Sequence, residues 1–178
     1  MGQYTKINLA ARPEPGPITS ALFEVVTDDV PAVGSGQVLI KQTYMSLDPA
    51  MIGWMSPDTD SYVPPVGLGE VMRSSGIGEV VDSQHPGFEV GDRVRGMMGW
   101  TEYCLSDGEG LSKVPEGVDE ETLLSVFALP GVTAMKGLYG FGDPKAGETL
   151  VVSGAAGSVG SLVGQLGKAD GLRVVGVA

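Results

Sequence analysis

The sequence predicts a β-rich domain followed by a β-α-β unit, which is an α/β plus β architecture. Short apolar runs separated by turn residues recur along the first two thirds of the chain. The 178 residues include 28 glycines and 12 prolines, a composition that favours many turns over a helical bundle. The last thirty residues read as strand, glycine-rich turn, helix and strand. The many short strands expected in the first two thirds of the chain are typical of a small barrel or sandwich.

The β-rich part is expected to begin after a lead-in arm, because residues 1–16 are polar and contain two prolines. An apolar helical turn or loop is expected over 48–55, and 115–118 should close this part. Between these segments the pattern predicts five strands, each bounded by turn residues: Leu22–Thr27, Gln37–Ser46, Gly76–Val81, Arg93–Met98 and Thr101–Ser106.

Two helices are expected next. Residues 119–122 place acids in a first helical turn, where the positive end of the helix dipole favours them. The apolar face of this helix is expected to consist of Leu123, Leu124, Phe127 and Ala128. A second helix is expected from Val132 to about Tyr139, ending at Gly140.

The C-terminal unit should begin with a strand at 150–152 that is buried on both faces, as parallel strands usually are. Residues 155–160 fit G-x-G-x-x-G with Ala155 in the first glycine place. Gly157 would let phosphates approach the backbone, and Gly160 would let the helix pack close to the strand. Apolar residues then recur at helical spacing, and Arg173–Val177 is the second strand. This order indicates a dinucleotide-binding fold, with a helix N-terminus aimed at the pyrophosphate.

A membrane-spanning helix is the alternative for 149–167, which carries no charge. A span needs about 20 mostly apolar residues. Glycines, serines and a glutamine dilute this stretch, so the dinucleotide interpretation is favoured.

Charge and cysteine content narrow the function classes. The net charge of −11 argues against nucleic-acid binding, which depends on basic contacts to phosphates. Cys104 is the single cysteine, so an internal disulfide is excluded. Together with the missing secretory leader, this favours the cytoplasm.

No metal site or acyl-transfer nucleophile is expected. Catalytic zinc needs three protein ligands, whereas the chain has one histidine, His85, in a turn. Cys104 lies in an apolar strand and is expected to be a core residue. Gly-x-Ser-x-Gly is absent, and Glu120 and Glu121 fit an exposed helix start. No catalytic residue is therefore assigned.

An ordered series of motifs covers nearly the whole chain. The series is Met45–Met51, Tyr62–Met72, Gly87–Val94, Gly99–Tyr103, Pro130–Ala134 and Lys145–Gly157. With this series the chain resembles the zinc-independent medium-chain dehydrogenases/reductases. The most similar branch contains prostaglandin and leukotriene reductases, alkenal double-bond reductases and curcumin-reductase-like enzymes. Zinc-dependent relatives place Gly-His-Glu where this chain has Gly67–Glu70.

The resemblance implies a GroES-like β-barrel domain over 1–130 and an incomplete Rossmann domain over 131–178. It implies a cytoplasmic NADPH-dependent oxidoreductase that reduces the activated C=C bond of α,β-unsaturated ketones or aldehydes, as a homodimer in a full-length form. The implied cofactor-binding residues are Pro49, Thr133, Ala155, Ala156, Gly157, Ser158, Val159 and Gly160. The implied substrate residues, for which ordinary barrel core or rim is the open alternative, are Ala50, Met51, Trp54, Tyr62, Met98 and Trp100.

Two departures from the family pattern leave the function open. Several double-bond reductases have tyrosine and arginine where this chain has Ala50 and Ile52, so the substrate stays unnamed. The ribose-discriminating residue is expected about 20 residues past the glycine turn, where the sequence ends. NADPH over NADH thus rests on the resemblance, and a truncated, weakly active piece is expected. The alternatives are a quinone oxidoreductase or a non-catalytic nucleotide-binding or assembly module.

Overall fold

The computed structural model describes residues 2–58, 60 and 63–178. These residues form two compact units, Met1–Glu116 and Gly117–Ala178. The first unit is mainly sheet, and the second contains the β-α-β segment. The domain boundary that we expect after residue 130 stays a prediction.

A two-stranded antiparallel sheet opens the first unit. β1 (Gln3–Leu9) pairs with β2 (Phe23–Asp29) along its whole length, from Gln3↔Asp29 to Leu9↔Phe23. The expectation of a lead-in arm over 1–16 is therefore wrong for this part. Most β1 side chains are only half-buried and polar, so the strand shows no apolar alternation, yet Leu9 at its end is fully buried. The pairing with β2 is nonlocal and gives no local sequence signal.

The main sheet of the first unit has five antiparallel strands in the order β6-β3-β4-β5-β7. Its strands are β3 (Val38–Met45), β4 (Ser75–Ser83), β5 (Arg93–Met97), β6 (Tyr103–Ser106) and β7 (Ser112–Lys113). The first four lie where the sequence predicts strands. β7 was not predicted, because two residues are too few to carry an alternating pattern.

Two apolar clusters form the core of the first unit. One packs the short helix α1 (Ala50–Met55) against the end of β1 and the residues that precede β4. The other lies along β3, β4 and β5. The first consists of Leu9, Met51, Met55, Val66 and Met72, and the second of Val38, Ile40, Val80, Val94 and Met98.

The second unit begins with α2 (Glu120–Ser125), which is capped as its acidic start predicts. The side chain of Asp119 accepts a hydrogen bond from the backbone N–H of Thr122 at 2.8 Å. Leu123 is buried, but Phe127 is 56% exposed, so the expected apolar face is only partly correct. α2 ends before Phe127, which therefore leaves the helical face.

The next helix starts earlier than expected. α3 (Leu129–Met135) has a proline in its first turn, a position where the missing N–H of proline costs no helical hydrogen bond. A π-helical segment, Lys136–Gly142, continues it to Asp143, whose φ is +40°. The helix expected from Val132 to Tyr139 thus begins at Leu129 and changes its winding at Lys136.

The β-α-β unit is present as the sequence predicts. β8 (Thr149–Ser153) is parallel to β9 (Arg173–Val177), and α4 (Ser158–Ala169) connects them. The expectation that β8 is buried on both faces is wrong for this chain. Val152 is 7% exposed, whereas its neighbour Val151 is 65% exposed on the opposite face. Among the described residues, no helix has the length and apolarity to span a membrane.

Candidate functional site

The glycine-rich turn between β8 and α4 forms a cradle. A cavity of about 460 Å³ opens over the end of β8 and the first turn of α4. The residues that line this cradle are Val151, Val152, Ser153, Gly154, Gly157, Ser158, Val159, Gly160 and Val163. Four of the six residues that the motif predicts, 157–160, therefore lie together.

The cradle is narrow enough to require glycine at two positions. Gly154 makes the tight turn with a φ of +59°, a left-handed conformation. A Cβ added to Gly160 would lie 2.3 Å from the carbonyl oxygen of Gly154, which no real contact permits. Gly160 therefore lets α4 start directly against the turn.

The N-terminus of α4 is free to receive an anion. Its N-cap, Gly157, makes no side-chain cap hydrogen bond, and no acidic residue lies in the first turn. The first helical N–H groups, at 158–160, have no acceptor within the helix because of helix geometry. Together with the helix dipole, these N–H groups fit a phosphate or pyrophosphate.

Ala155 and Ala156 do not line the cradle. Ala155 donates its backbone N–H to Val177 at 3.0 Å, and its methyl group lies where a Cβ on Gly176 would be 2.8 Å away. Ala155 thus joins the turn to β9, and the tight turn that the motif assigns to this place is made by Gly154. The motif alone did not show that the tight turn falls on Gly154 instead of Ala155, because a backbone φ angle cannot be read from the spacing of glycines.

Thr133, the other expected cofactor contact in the second unit, is exposed on α3. Its hydroxyl donates to the carbonyl of Leu129 at 2.7 Å. Close packing fixes this part of the helix, because a Cβ on Gly131 would lie 1.7 Å from the carbonyl oxygen of Val126. The contact between Thr133 and the cofactor stays a prediction.

Pro49 and Ala50 start α1 in the first unit. Pro49 is the N-cap, and the hydroxyl of Ser46 donates to the carboxylate of Asp48 at 2.8 Å just before it. The N–H of Met51 closes the turn on the carbonyl of Asp48. This bonded turn fixes the direction in which α1 leaves β3. Pro49 as a cofactor contact and Ala50 as a substrate contact stay predictions.

The expected substrate residues separate into two groups. Met51 and Met98 are 5% and 6% exposed in the two core clusters, a position that favours the barrel-core interpretation. Trp54 and Trp100 are half-buried and pack against the first cluster. Tyr62 lies outside the described residues.

A second cavity, of about 410 Å³, borders Trp100 in the first unit. It is lined by Thr5, Ile7, Gln42, Thr43, Tyr44, Met45, Trp100, Thr101 and Glu102. β6 pairs with β3 only from Val38 to Lys41, so the edge of β3 beyond Gln42 borders this space. Apart from Trp100, none of these residues was a predicted site residue, because nonlocal strand pairing brings them together.

His85, Cys104 and Glu70 each have a structural explanation in the first unit. The Nδ1 atom of His85 accepts from the N–H of Gly87, and its ring packs on Phe88. Burial raises the pKa of the Cys104 thiol, which makes it a poor nucleophile. Glu70 accepts from the N–H of Gly67, and Leu68 is 57% exposed. Within 2–58, 60 and 63–178, no three His, Cys, Asp or Glu side chains come together as a metal site.

Comparison with known proteins agrees with this architecture. The model of a family described as the N-terminal domain of oxidoreductase matches residues 5–114. The NADPH-dependent curcumin reductase of Escherichia coli strain K12 is 46% identical, over 100% of this chain and 52% of that protein. Mouse prostaglandin reductase 1 is 37% identical, over 90% of this chain and 47% of that protein.

A solved structure of the same branch has the same fold. CurA from Vibrio vulnificus in complex with NADPH matches with a TM-score of 0.88 and 42% identity, over 97% of this chain and 51% of that one. The chain thus spans about half the length of the relatives that it matches. It has a GroES-like domain and part of a Rossmann domain, and it belongs to the zinc-independent medium-chain dehydrogenase/reductase family, in the branch of the curcumin and prostaglandin reductases.

Proposed function

We propose that the protein is an NADPH-dependent oxidoreductase that reduces the activated C=C bond of α,β-unsaturated ketones or aldehydes without zinc. The single observation that carries this proposal is the cradle at Gly154–Gly160 with its uncapped, uncharged helix N-terminus. The relatives named for NADPH dependence and the NADPH complex of CurA support the choice of cofactor.

NADPH supplies a hydride when it is bound. In the proposed arrangement, the N–H groups at 158–160 hold the pyrophosphate, because they have no acceptor within the helix and lie at the positive end of α4. Gly160 keeps the first turn of α4 close to Gly154, so the phosphates can reach the backbone. Thr133 and Pro49 are proposed as further cofactor contacts.

Reduction of an enone places negative charge on the carbonyl oxygen, which needs hydrogen-bond donors. The hydride goes to the β-carbon and a proton to the α-carbon, so that one NADPH and one proton give NADP⁺ and the saturated carbonyl compound. Ala50, Trp54 and Trp100 are proposed as substrate contacts. Ala50 has no hydroxyl, so the donor to the carbonyl oxygen is expected from another residue.

The test tracks the transfer of hydride from NADPH to the substrate. The purified native protein, with its intact mass measured first, is incubated with deuterated NADPH and an enone, and in parallel with a quinone of similar size. Deuterium at the β-carbon of the saturated product is the expected result. Turnover of the quinone alone would favour a quinone oxidoreductase. NADPH binding with no turnover of either compound would favour a non-catalytic nucleotide-binding module.

A further inference from the structure

The cavity beside Trp100 is lined by residues whose polar atoms the fold leaves unpaired. Nε1 of Trp100 and Oε1 of Gln42 are buried and have no hydrogen-bond partner among the described residues, and both residues line this cavity. A buried polar group without a partner costs about 1–3 kcal/mol, so native proteins keep few of them. A donor and an acceptor left unpaired at one cavity therefore indicate a polar ligand.

The backbone and ring of Trp100 are fixed around its unpaired N–H. Its backbone N–H donates to the carbonyl of Met72 at 2.8 Å, and its ring packs on Phe23 with the ring centres 5.0 Å apart. The side-chain amide of Gln42 donates to the carbonyl of Gly99 at 3.2 Å, which anchors the residue before Trp100. The indole N–H is thus oriented before a ligand arrives, and such preorganisation is what makes a donor effective in catalysis.

The wall of this cavity along β3 has room to move. The pairing of β3 with β6 ends at Lys41, and a register irregularity in its pairing with β4 lies between Gln42 and Tyr44. Tyr44 and Met45 are 43% and 41% exposed. Irregularities of this kind are common beside active sites, where they redirect side chains. Movement of these side chains would give a ligand access to the indole N–H.

The charge at the cavity favours a neutral ligand. Among the described residues that line it, Glu102 is the only charged one, and its carboxylate accepts the backbone N–H of Thr5. A carboxylate on the ligand would therefore meet a negative charge without a positive charge to balance it. The volume of about 410 Å³ is in the range of small-molecule sites. A small neutral enone is thus the appropriate probe.

From these observations we infer that the indole N–H of Trp100 is the hydrogen-bond donor to the carbonyl oxygen of a neutral enone bound in this cavity. Hydride addition places negative charge on that oxygen, and a hydrogen bond to a charged acceptor is about twice as strong as one to a neutral acceptor. Trp100 keeps its proton, and the α-carbon takes its proton from water. The inference rests on the proposed enone reduction and names the donor that Ala50 does not supply.

Binding is measured by NMR without turnover. In the ¹⁵N-labelled native protein, Trp54 and Trp100 give two indole N–H signals, and Trp100→Phe assigns them because it removes one. The ligands are cyclohex-2-enone and cyclohexene, which share a six-membered ring and differ in the carbonyl group. The enone is expected to move the indole proton of Trp100 downfield in a saturable way, whereas cyclohexene has no acceptor and should not.

The variant Trp100→Phe keeps an aromatic ring and removes the N–H. The ratio of enone affinity to cyclohexene affinity should fall by about threefold to tenfold, since cyclohexene reports any change in the shape of the cavity. Tyr4→Phe is the matched control, because it removes a hydroxyl donor from a residue of β1 that does not line the cavity, and it should keep the ratio. In the deuterium-transfer assay, Trp100→Phe should lower kcat by about 100-fold or more and change KM less.

An indole signal of Trp100 that stays unmoved by the enone would overturn the inference, as would an affinity ratio that survives Trp100→Phe. If that variant does not fold, the shift in the wild-type protein decides, with Trp54→Phe to assign the signals. Deuterium transfer without an indole shift would overturn this inference and keep the proposed reductase. An indole shift without deuterium transfer would contradict the reductase and keep Trp100 as the group that binds the carbonyl.

Discussion

The two units of the chain differ in how they bury their apolar residues. Among its described residues, the first unit places six hydrophobic side chains, including Ile40 and Val94, at 0% exposure in its two clusters. In the second unit, the lowest exposures among larger side chains are 2% for Leu123 and 5% for Leu138, while Phe141 is 81% exposed. The parallel sheet of the second unit is covered by α4 on one face, and Val151 and Val175 are exposed.

Because of this difference, the unit with the better-buried core is not the unit that contains the cofactor cradle. Parallel strands are usually buried on both faces, so a sheet with one uncovered face forgoes much of its hydrophobic stabilisation. The cradle lies on this less buried unit. We therefore expect the first unit to unfold last and the cradle to be the more easily opened part of the chain.

The largest expected effect is on the core of the first unit. Ile40 is fully buried on β3, so Ile40→Ala should lower the free energy of unfolding of this unit by about 2–5 kcal/mol. Denaturant unfolding followed by tryptophan fluorescence reports this unit, since Trp54 and Trp100 both lie in it. The control Val25→Ala, at a 69% exposed position, should change stability by less than about 0.5 kcal/mol. Equal losses of unfolding free energy for Ile40→Ala and Val25→Ala would contradict the placement of Ile40 in the buried core.

A smaller effect is expected from the turn of the second unit. Gly160→Ala forces a Cβ against the carbonyl of Gly154. The free energy of opening of α4, measured by hydrogen exchange of its amides, should therefore fall by about 1–3 kcal/mol. Gly164→Ala is the matched control, because its Cβ would meet Val174 at an ordinary 3.7 Å. Alanine is the better helix former, so this control should be neutral or stabilising by up to about 1 kcal/mol. A loss of protection in Gly164→Ala as large as in Gly160→Ala would refute the steric argument.

The start of α2 should depend on pH. The backbone N–H of Thr122, followed by its hydroxyl, lowers the pKa of the Asp119 carboxyl. Because the folded-state pKa lies below the unfolded one, the stabilisation is complete above the unfolded pKa and is lost as pH falls through the folded one. The protection of the backbone amides of 120–125 from hydrogen exchange should therefore decline on acidification below pH about 4. Asp119→Asn, which caps without titrating, should remove this step, and a step that persists in Asp119→Asn would assign it to another group.

The smallest effect is expected on the uncovered face of β8. Val151→Thr should leave the stability of the second unit within about 0.5 kcal/mol, because Val151 is 65% exposed. Val152→Thr, one residue further on the buried face, should destabilise the unit clearly, since it buries a hydroxyl at 7% exposure. Hydrogen exchange at β8 and β9 measures both. A large loss for Val151→Thr would mean that something covers this face in solution.

Where the sequence carries local signals, the fold follows from it. The strands around β3, β4 and β5 are marked by apolar runs and turn residues, and α4 is marked by its spacing and its glycines. β1 carries no such signal, because its partner β2 lies across an intervening loop and its residues are mostly polar. The exposure of β8 on one face also depends on what packs there, which a strand pattern does not encode.

The candidate site was only partly predictable for a similar reason. Residues 157–160 of the motif line one cradle, but the tight turn falls on Gly154, and Ala155 points to Gly176. The residues beside Trp100 were missed because strand pairing, rather than sequence proximity, assembles them.

The measurement that tests the central claim most directly is an NADPH titration of the ¹⁵N-labelled chain, read at the backbone amides of the cradle. The account predicts that the amides of 157–160 shift as one saturable group. It also predicts that Gly160→Ala weakens this response by about tenfold or more, whereas Gly164→Ala preserves it. Unchanged cradle amides at saturating NADPH, or an equal response in wild type and Gly160→Ala, would contradict the account.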